Sequence, residues 1–217
     1  MWWIIFVVIA ILFILLLCLF NKQIRVFYIG LTKHRRIQKN LYQACKSQNY
    51  LIINDILIQV NEEKFRHVDT IIIGNKFVYV VKEAIWLGKI EGFRQDEKWR
   101  LYYKNTLDHV RNPFIENEKK MNRIAKVLPL PVDRFINIVV LADSVQMDHL
   151  DLNNENEFLC KEEEVILTIN WIEKNSSKTS WSNQEVEQMA NLLYEHGLNS
   201  EKLLKNKKSR GKKNEAS

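Results

Sequence analysis

From Trp2 to Phe20 the chain reads WWIIFVVIAILFILLLCLF, an unbroken apolar run with no charge, proline or glycine. At about 1.5 Å of rise per residue, an α-helix of that length is roughly 28 Å long, close to the hydrocarbon thickness of a bilayer. A secretory signal has a shorter apolar region, about 7–15 residues, after a basic start and before small residues at the cut. Here Met1 leads directly into Trp2 and Trp3, and the run closes on Leu17-Cys18-Leu19-Phe20. The expectation is a transmembrane anchor over residues 1–20, with the bilayer itself the partner of residues 2–20.

Beyond the anchor the apolar positions change period. In residues 34–48, Ile37, Leu41, Ala44 and Cys45 fall at helical spacing, which predicts an amphipathic helix. Tyr50-Leu-Ile-Ile-Asn-Asp-Ile-Leu-Ile-Gln-Val60 is β-branched on both sides of Asn54-Asp55, which predicts strand, bend, strand. Val68–Ile73 and Lys76–Lys82 read as two strands joined at Gly74-Asn75, and Trp99–Tyr103 as another. Asn112-Pro113 opens a helix to about Val127, because proline is tolerated at a first helical position. Phe135–Ala142 is a continuous apolar strand of the kind buried on both faces.

Glu162-Glu163-Glu164 precede Val165, Ile166, Ile169 and Ile172 and read as the acidic start of a helix rather than as metal ligands. Ser182-Asn-Gln-Glu185 is a capping box for a last helix expected to end near Gly197. The segment 201–217, basic and poor in apolar residues, is expected to be disordered. Trp86 and Trp99 read as packing groups, Asp143 and Asp148 as loop residues, and the five histidines show no ligand spacing. The pattern is that of an α/β domain, strand-rich in its first half.

Charge refines this picture. The net charge is +6, but it is not spread evenly. Residues 21–39 and 202–217 each carry +6, whereas residues 40–201 carry −6. Lys22, Arg25, Lys33, Arg35, Arg36 and Lys39 follow the apolar run with no acid among them. Basic flanks stay in the cytoplasm, so the expected orientation is N-terminus outside and C-terminal domain inside, with Trp2 and Trp3 at the outer interface. Polybasic flanks gain roughly 1 kcal/mol per Lys or Arg from anionic lipid, so anionic lipid is an expected partner and basicity by itself does not argue for DNA. Of three cysteines one lies in the apolar run, and no disulfide framework can be built from Cys45 and Cys160, which fits a reducing compartment.

Several short motifs, taken in order, carry a resemblance. Tyr50-Leu-Ile-Ile-Asn-Asp-Ile, His67-Val-Asp69-Thr-Ile, Gly88-Lys-Ile-Glu-Gly92, then Trp99, Asn112-Pro113 and Ser182-Asn-Gln-Glu185-Val186 resemble the nuclease-related domain family, NERD, over about residues 36–196. The resemblance implies the fold of the PD-(D/E)xK restriction endonucleases: a mixed central sheet flanked by helices, here preceded by one transmembrane helix. The implied organisation is an anchor at 1–20, a basic juxtamembrane segment at 21–33, the nuclease-related domain at 34–200, and the basic tail.

The resemblance also implies a metal site: a Glu on the first helix, an Asp on one strand and Glu-x-Lys on the next, holding Mg²⁺ or Mn²⁺ beside the attacked phosphate. Registered on Gly88, this chain has Gln38 at the helix position, Asp69 at the Asp, and Lys82-Glu83-Ala84 where Glu-x-Lys belongs. Lys82 then stands at the acid's place and Ala84 at the lysine's, and only Asp69 survives as a ligand. Strand alternation turns Glu83 away from the face that Lys82 occupies. The expectation is a catalytically degenerate nuclease fold, with Lys82 paired to Asp69 in place of a metal, that binds DNA or a protein partner. The alternative is an active nuclease that uses Asp69 as metal ligand with a relocated carboxylate, Glu83 or Glu91, and a divalent metal.

Overall fold

The structure, a computed structural model, describes residues 2–61, 64–151 and 154–214, without the side chains of 14–31, 149, 151 and 208–214. Two compact units are present, Met1–Lys39 and Asn40–Ser217. The elements in order are α1 (Trp2–Ser47), β1 (Leu51–Gln59), β2 (Phe65–Ile73), β3 (Val78–Ala84), β4 (Gly88–Phe93), β5 (Lys98–Tyr103) and β6 (Thr106–Arg111). They continue with α2 (Pro113–Val127), β7 (Phe135–Leu141), β8 (Val145–Asp151), β9 (Glu157–Lys161), α3 (Val165–Asn175) and α4 (Asn183–Asn214).

The first unit lies on α1. Among the described residues no helix is long and apolar enough to cross a membrane. The expected anchor runs on through residues 14–20, whose side chains lie outside the description, as do those of most of the juxtamembrane segment. The helix expected at 34–48 is the end of α1 rather than a separate element.

In the second unit the β-structure is divided into two sheets, where one mixed central sheet was expected. The larger has the order β1-β2-β3-β7-β9 and the smaller β6-β5-β4-β8. β1, β2 and β3 are antiparallel, whereas β7 is parallel to β3 and to β9. Parallel neighbours need a long crossover, and the path from β3 to β7 runs through the second sheet's first three strands and α2. Every residue of β7 is buried, as its unbroken apolar run requires for a strand covered on both faces. The core between the larger sheet, α2 and α4 includes Ile58, Ile71, Val80, Ile124, Phe135 and Leu193, each 0% exposed. A second cluster is built on Trp99, Phe114, Ile90 and Leu141.

The expected bend in β1 is a local event inside one continuous strand. The ladder pairs Asn54 with Thr70 and Ile56 with Val68, and Asp55, between them, has φ 51°. That left-handed conformation is tolerable for a short polar side chain. Ile53 and Ile56 both reach the same core, as do Val68 and Ile71, which strict alternation forbids. The strand pair therefore changes face at the step that holds Asp69.

Gly74 works by closeness rather than by turn geometry. Its φ is not positive, and a Cβ there would stand 2.3 Å from Glu173 Oε1. The link from β2 to β3 is four residues long, closed by Gly74 N–H donating to Phe77 O at 2.9 Å. The capping box forms as expected: the Ser182 hydroxyl donates to Glu185 at 2.8 Å and accepts from its N–H at 3.2 Å. α4, however, runs past Gly197 to Asn214, so the helix expected to stop at Gly197 and the tail expected to be disordered from 201 are corrected as far as Asn214. Gly197 is a contact point, since a Cβ there would lie 2.9 Å from Ile56 Cγ1.

Candidate functional site

Asp69 is the centre of the site. β2 and β3 are antiparallel neighbours, and the change of face beside Asp55 brings the Asp69 carboxylate to Lys82. Lys82 Nζ donates to Asp69 Oδ2 at 2.7 Å, and the backbone N–H of Glu83 donates to the same oxygen at 3.0 Å. The other oxygen, Oδ1, is 3.7 Å from Lys120 Nζ, carried by α2. Lys120 is 8% exposed, and its burial holds the ammonium below the ordinary lysine value, against the pull of Asp69 and with the repulsion of Lys82 added.

The other residues singled out in the sequence divide clearly. Tyr79, of the same strand parity as Glu83, faces α3 and donates to Glu173 Oε1 at 2.9 Å. Val78 and Val80, of the parity of Lys82, face α2 and α4. Glu83 is therefore buried on the far face of β3 and contributes its backbone, not its carboxylate, to Asp69. Ala84 is 2% exposed and packs in the aromatic cluster with Trp86, Trp99 and Phe114. Glu91 is engaged with Lys89 at 2.8 Å, which also holds Asp148 at 3.0 Å. Gln38 is half-buried on α1 and belongs to the first unit.

This donor set does not fit a divalent cation. Such ions take several oxygen ligands, while Asp69 faces two ammonium groups and an N–H. Among the described residues no group of three or more His, Cys, Asp or Glu side chains could hold a metal.

Next to the two lysines that contact Asp69 opens a pocket of about 310 Å³. Seven of its twelve lining residues are Lys or Arg and two are Glu. Lys82 and Lys120 form its inner wall beside Asp69, and Arg66, Lys98, Arg111 and Lys119 are exposed around it. The start of α2 is held beside it by Asn112. Its side chain accepts from Phe114 N–H at 3.0 Å and donates to the carbonyls of Arg94 at 3.0 Å and Asp96 at 2.9 Å. That ties the β4–β5 turn to the helix. Trp99 packs edge-on against Phe114 and Trp86, with Nε1 donating to Phe93 O at 3.0 Å.

Lys120 and the basic pocket escaped the sequence reading. The one available signal was a lysine on the apolar stripe of a helix: Phe114, Asn117, Met121 and Ile124 are the buried face of α2, and Lys120 shares it. Isolated lysines are rarely buried without a partner.

A mixed sheet that carries Asp69 and the Lys82-Glu83-Ala84 segment on adjacent strands, backed by a helix, defines a restriction-endonuclease-like protein. The chain matches the nuclease-related domain family over residues 29–142, more than half its length, and it belongs to that family. No curated protein matches it. Among solved structures, the crystal structure of a protein of unknown function, AF1548, is similar at 8% identity and a TM-score of 0.31, covering 82% of this chain and 93% of that one. A likeness at that level adds nothing to the fold assignment.

Proposed function

We propose that this protein is a catalytically silent nuclease-related domain, anchored in the membrane by residues 2–20, that binds nucleic acid at the cytoplasmic face without cleaving it. The observation that carries the reading is the 2.7 Å contact between Lys82 Nζ and Asp69. An ammonium occupies the side of the carboxylate that a catalytic cation needs, and Lys120 takes the other. Metal-dependent phosphodiester hydrolysis requires a bound cation to generate the nucleophile and to neutralise charge on the phosphoryl group. A single carboxylate already shared by two lysines is a poor ligand for one. The basic wall of the pocket supports retained affinity for phosphate, since phosphate contacts dominate nucleic-acid binding.

The anchor rests on the apolar run and the orientation on the basic residues behind it. Incubation of the detergent-solubilised full chain with plasmid and single-stranded DNA, across Mg²⁺ and Mn²⁺, tests the silent reading. Wild type and Asp69→Asn should be equally inactive. Cleavage by wild type that Asp69→Asn abolishes would overturn the proposal in favour of a working nuclease. Membranes extracted with alkaline carbonate should retain the chain, and release into the supernatant would remove the anchor.

A further inference from the structure

The pocket beside Asp69 has a chemistry more specific than general affinity for nucleic acid. We infer that it is a docking site for a phosphomonoester dianion, the terminal phosphate of a nucleotide or of a nucleic-acid strand. This deepens the binding reading above and rests on it for the class of ligand, though not on the absence of cleavage.

Three observations lead there. The first is where the positive charge lies. Residues 40–201 carry a net −6, yet seven cationic side chains line this one pocket. A duplex carries a negative charge about every 1.7 Å along its axis and rewards a continuous basic track. Cations concentrated in one recess of an acidic domain suit a compact anion instead.

The second is size. About 310 Å³ lies at the small end of ligand pockets, roughly 300–1,000 Å³. It accommodates a phosphate with part of a nucleoside, and Val60 and Ile115 give it an apolar portion for the organic part.

The third is the state of the carboxylate. Asp69 would repel an anion were it bare, but Lys82 and Lys120 cover both of its oxygens. Lys120 is buried and short of solvation, and the oxygens of a bound dianion would replace the hydration that burial removed. Arg66 and Arg111 offer planar guanidinium groups, which hold two oxygens of a phosphate at once. Arg111 is at present 3.3 Å from Glu116, an exposed pair that an incoming phosphate can exchange at little cost. Among the described residues Lys98 and Lys119 form no ion pair with an acid, so they remain available to a ligand.

The test uses the full chain in neutral detergent at physiological salt. Fluorescence anisotropy compares a labelled short single-stranded oligonucleotide carrying a 5′-phosphate with the same strand ending in a 5′-hydroxyl. The phosphorylated strand should bind about tenfold more tightly or better, because one dianion gains several charge-assisted contacts. Unlabelled dAMP and inorganic phosphate should compete. If dAMP competes more strongly than the unlabelled phosphorylated strand, the ligand is a free nucleotide; the reverse order makes it a strand end.

Lys98→Glu combined with Lys119→Glu, both exposed, should abolish the preference for the 5′-phosphate and leave the melting temperature unchanged. Equal binding of the two strands, an unchanged preference in the double variant, or no binding of either strand would overturn the proposal. No binding of either strand would also remove the nucleic-acid-binding reading above, whereas the other two outcomes overturn this inference alone; none of them bears on whether the protein cleaves DNA.

Discussion

Replacing Lys82 by glutamate restores the acid that the family resemblance assigns to that position and tests directly whether an ammonium now does a cation's work. In the wild type the Lys82–Asp69 contact is 2.7 Å long, with side chains 24% and 17% exposed. Breaking a fully buried pair costs about 3–5 kcal/mol, and an exposed one contributes about 0–1. With roughly a fifth of each group still wet, loss of the pair is worth about 2 kcal/mol. The substitution also sets a second carboxylate against Asp69. At about 4 Å and an effective dielectric near 20, that repulsion reaches about 4 kcal/mol before Lys120 and partial protonation relieve it.

A net destabilisation of about 3–5 kcal/mol lowers the melting temperature by roughly 10 °C for a domain of this size. Mn²⁺ should then recover part of it, about 2.7 kcal/mol at a hundred times its dissociation constant. Lys82→Met is the control: it should lose about 2 kcal/mol and ignore metal. Thermal unfolding of the full chain, followed by circular dichroism with and without Mn²⁺, reads all three proteins. The reasoning is refuted if Lys82→Glu is as stable as wild type without metal, if Mn²⁺ fails to stabilise it, or if wild type itself gains an Asp69-dependent response to Mn²⁺.

Other predictions test the scaffold that holds the site. Asn112→Ala removes a helix cap worth about 1 kcal/mol and leaves backbone carbonyls of the β4–β5 turn without their donor, so stability should fall by about 2–3 kcal/mol; Asn112→Asp keeps the cap and should fall less. Gly92→Ala sets a Cβ 2.3 Å from Trp99 Cδ1, a ring fixed by Phe114 and by its own hydrogen bond, and should cost about 1–3 kcal/mol by chemical denaturation. Glu173 is buried, which raises its folded-state pKa above the ordinary value of 4.5 despite hydrogen bonds from Tyr79 and the Lys76 N–H. A raised pKa contributes stability that is full below pH 4.5 and is lost as pH climbs through the folded value. Glu173→Gln should therefore gain in melting temperature relative to wild type across that interval and hold the gain above it. Parallel curves from pH 4 to 8 would show that the charge on Glu173 carries no such penalty.

Much of the fold could be read directly from the chain because its causes are local. Asn112-Pro113 starts α2 where a side-chain acceptor and a missing N–H suit a first turn, and the helix ends at Val127 as its periodicity requires. Ser182 and Glu185 close their reciprocal cap within four residues. The apolar run of β7 implies burial on both faces whatever its neighbours are. β4, β6, β8 and β9 were missed because their residues are mostly polar, small or half-exposed, and pairing rather than composition makes them strands. α4 continues through Gly197 because packing on Ile56 takes precedence over the local stop signal of a glycine.

The amino-acid sequence alone suggested, through the family resemblance, that Lys82 and Ala84 stand where an acid and a lysine are expected, and it required that Lys82 and Glu83 point to opposite faces, because alternation is a property of the strand itself. It held no information on what meets Asp69 from a distance. Lys120 lies on a helix reached only after three strands of the second sheet, and its approach to within 3.7 Å depends on the parallel pairing of β3 with β7 and on the change of face beside Asp55. Contacts between residues far apart in the chain are decided by how elements stack, and only the tertiary structure gathers scattered lysines and arginines into one basic recess beside a single carboxylate.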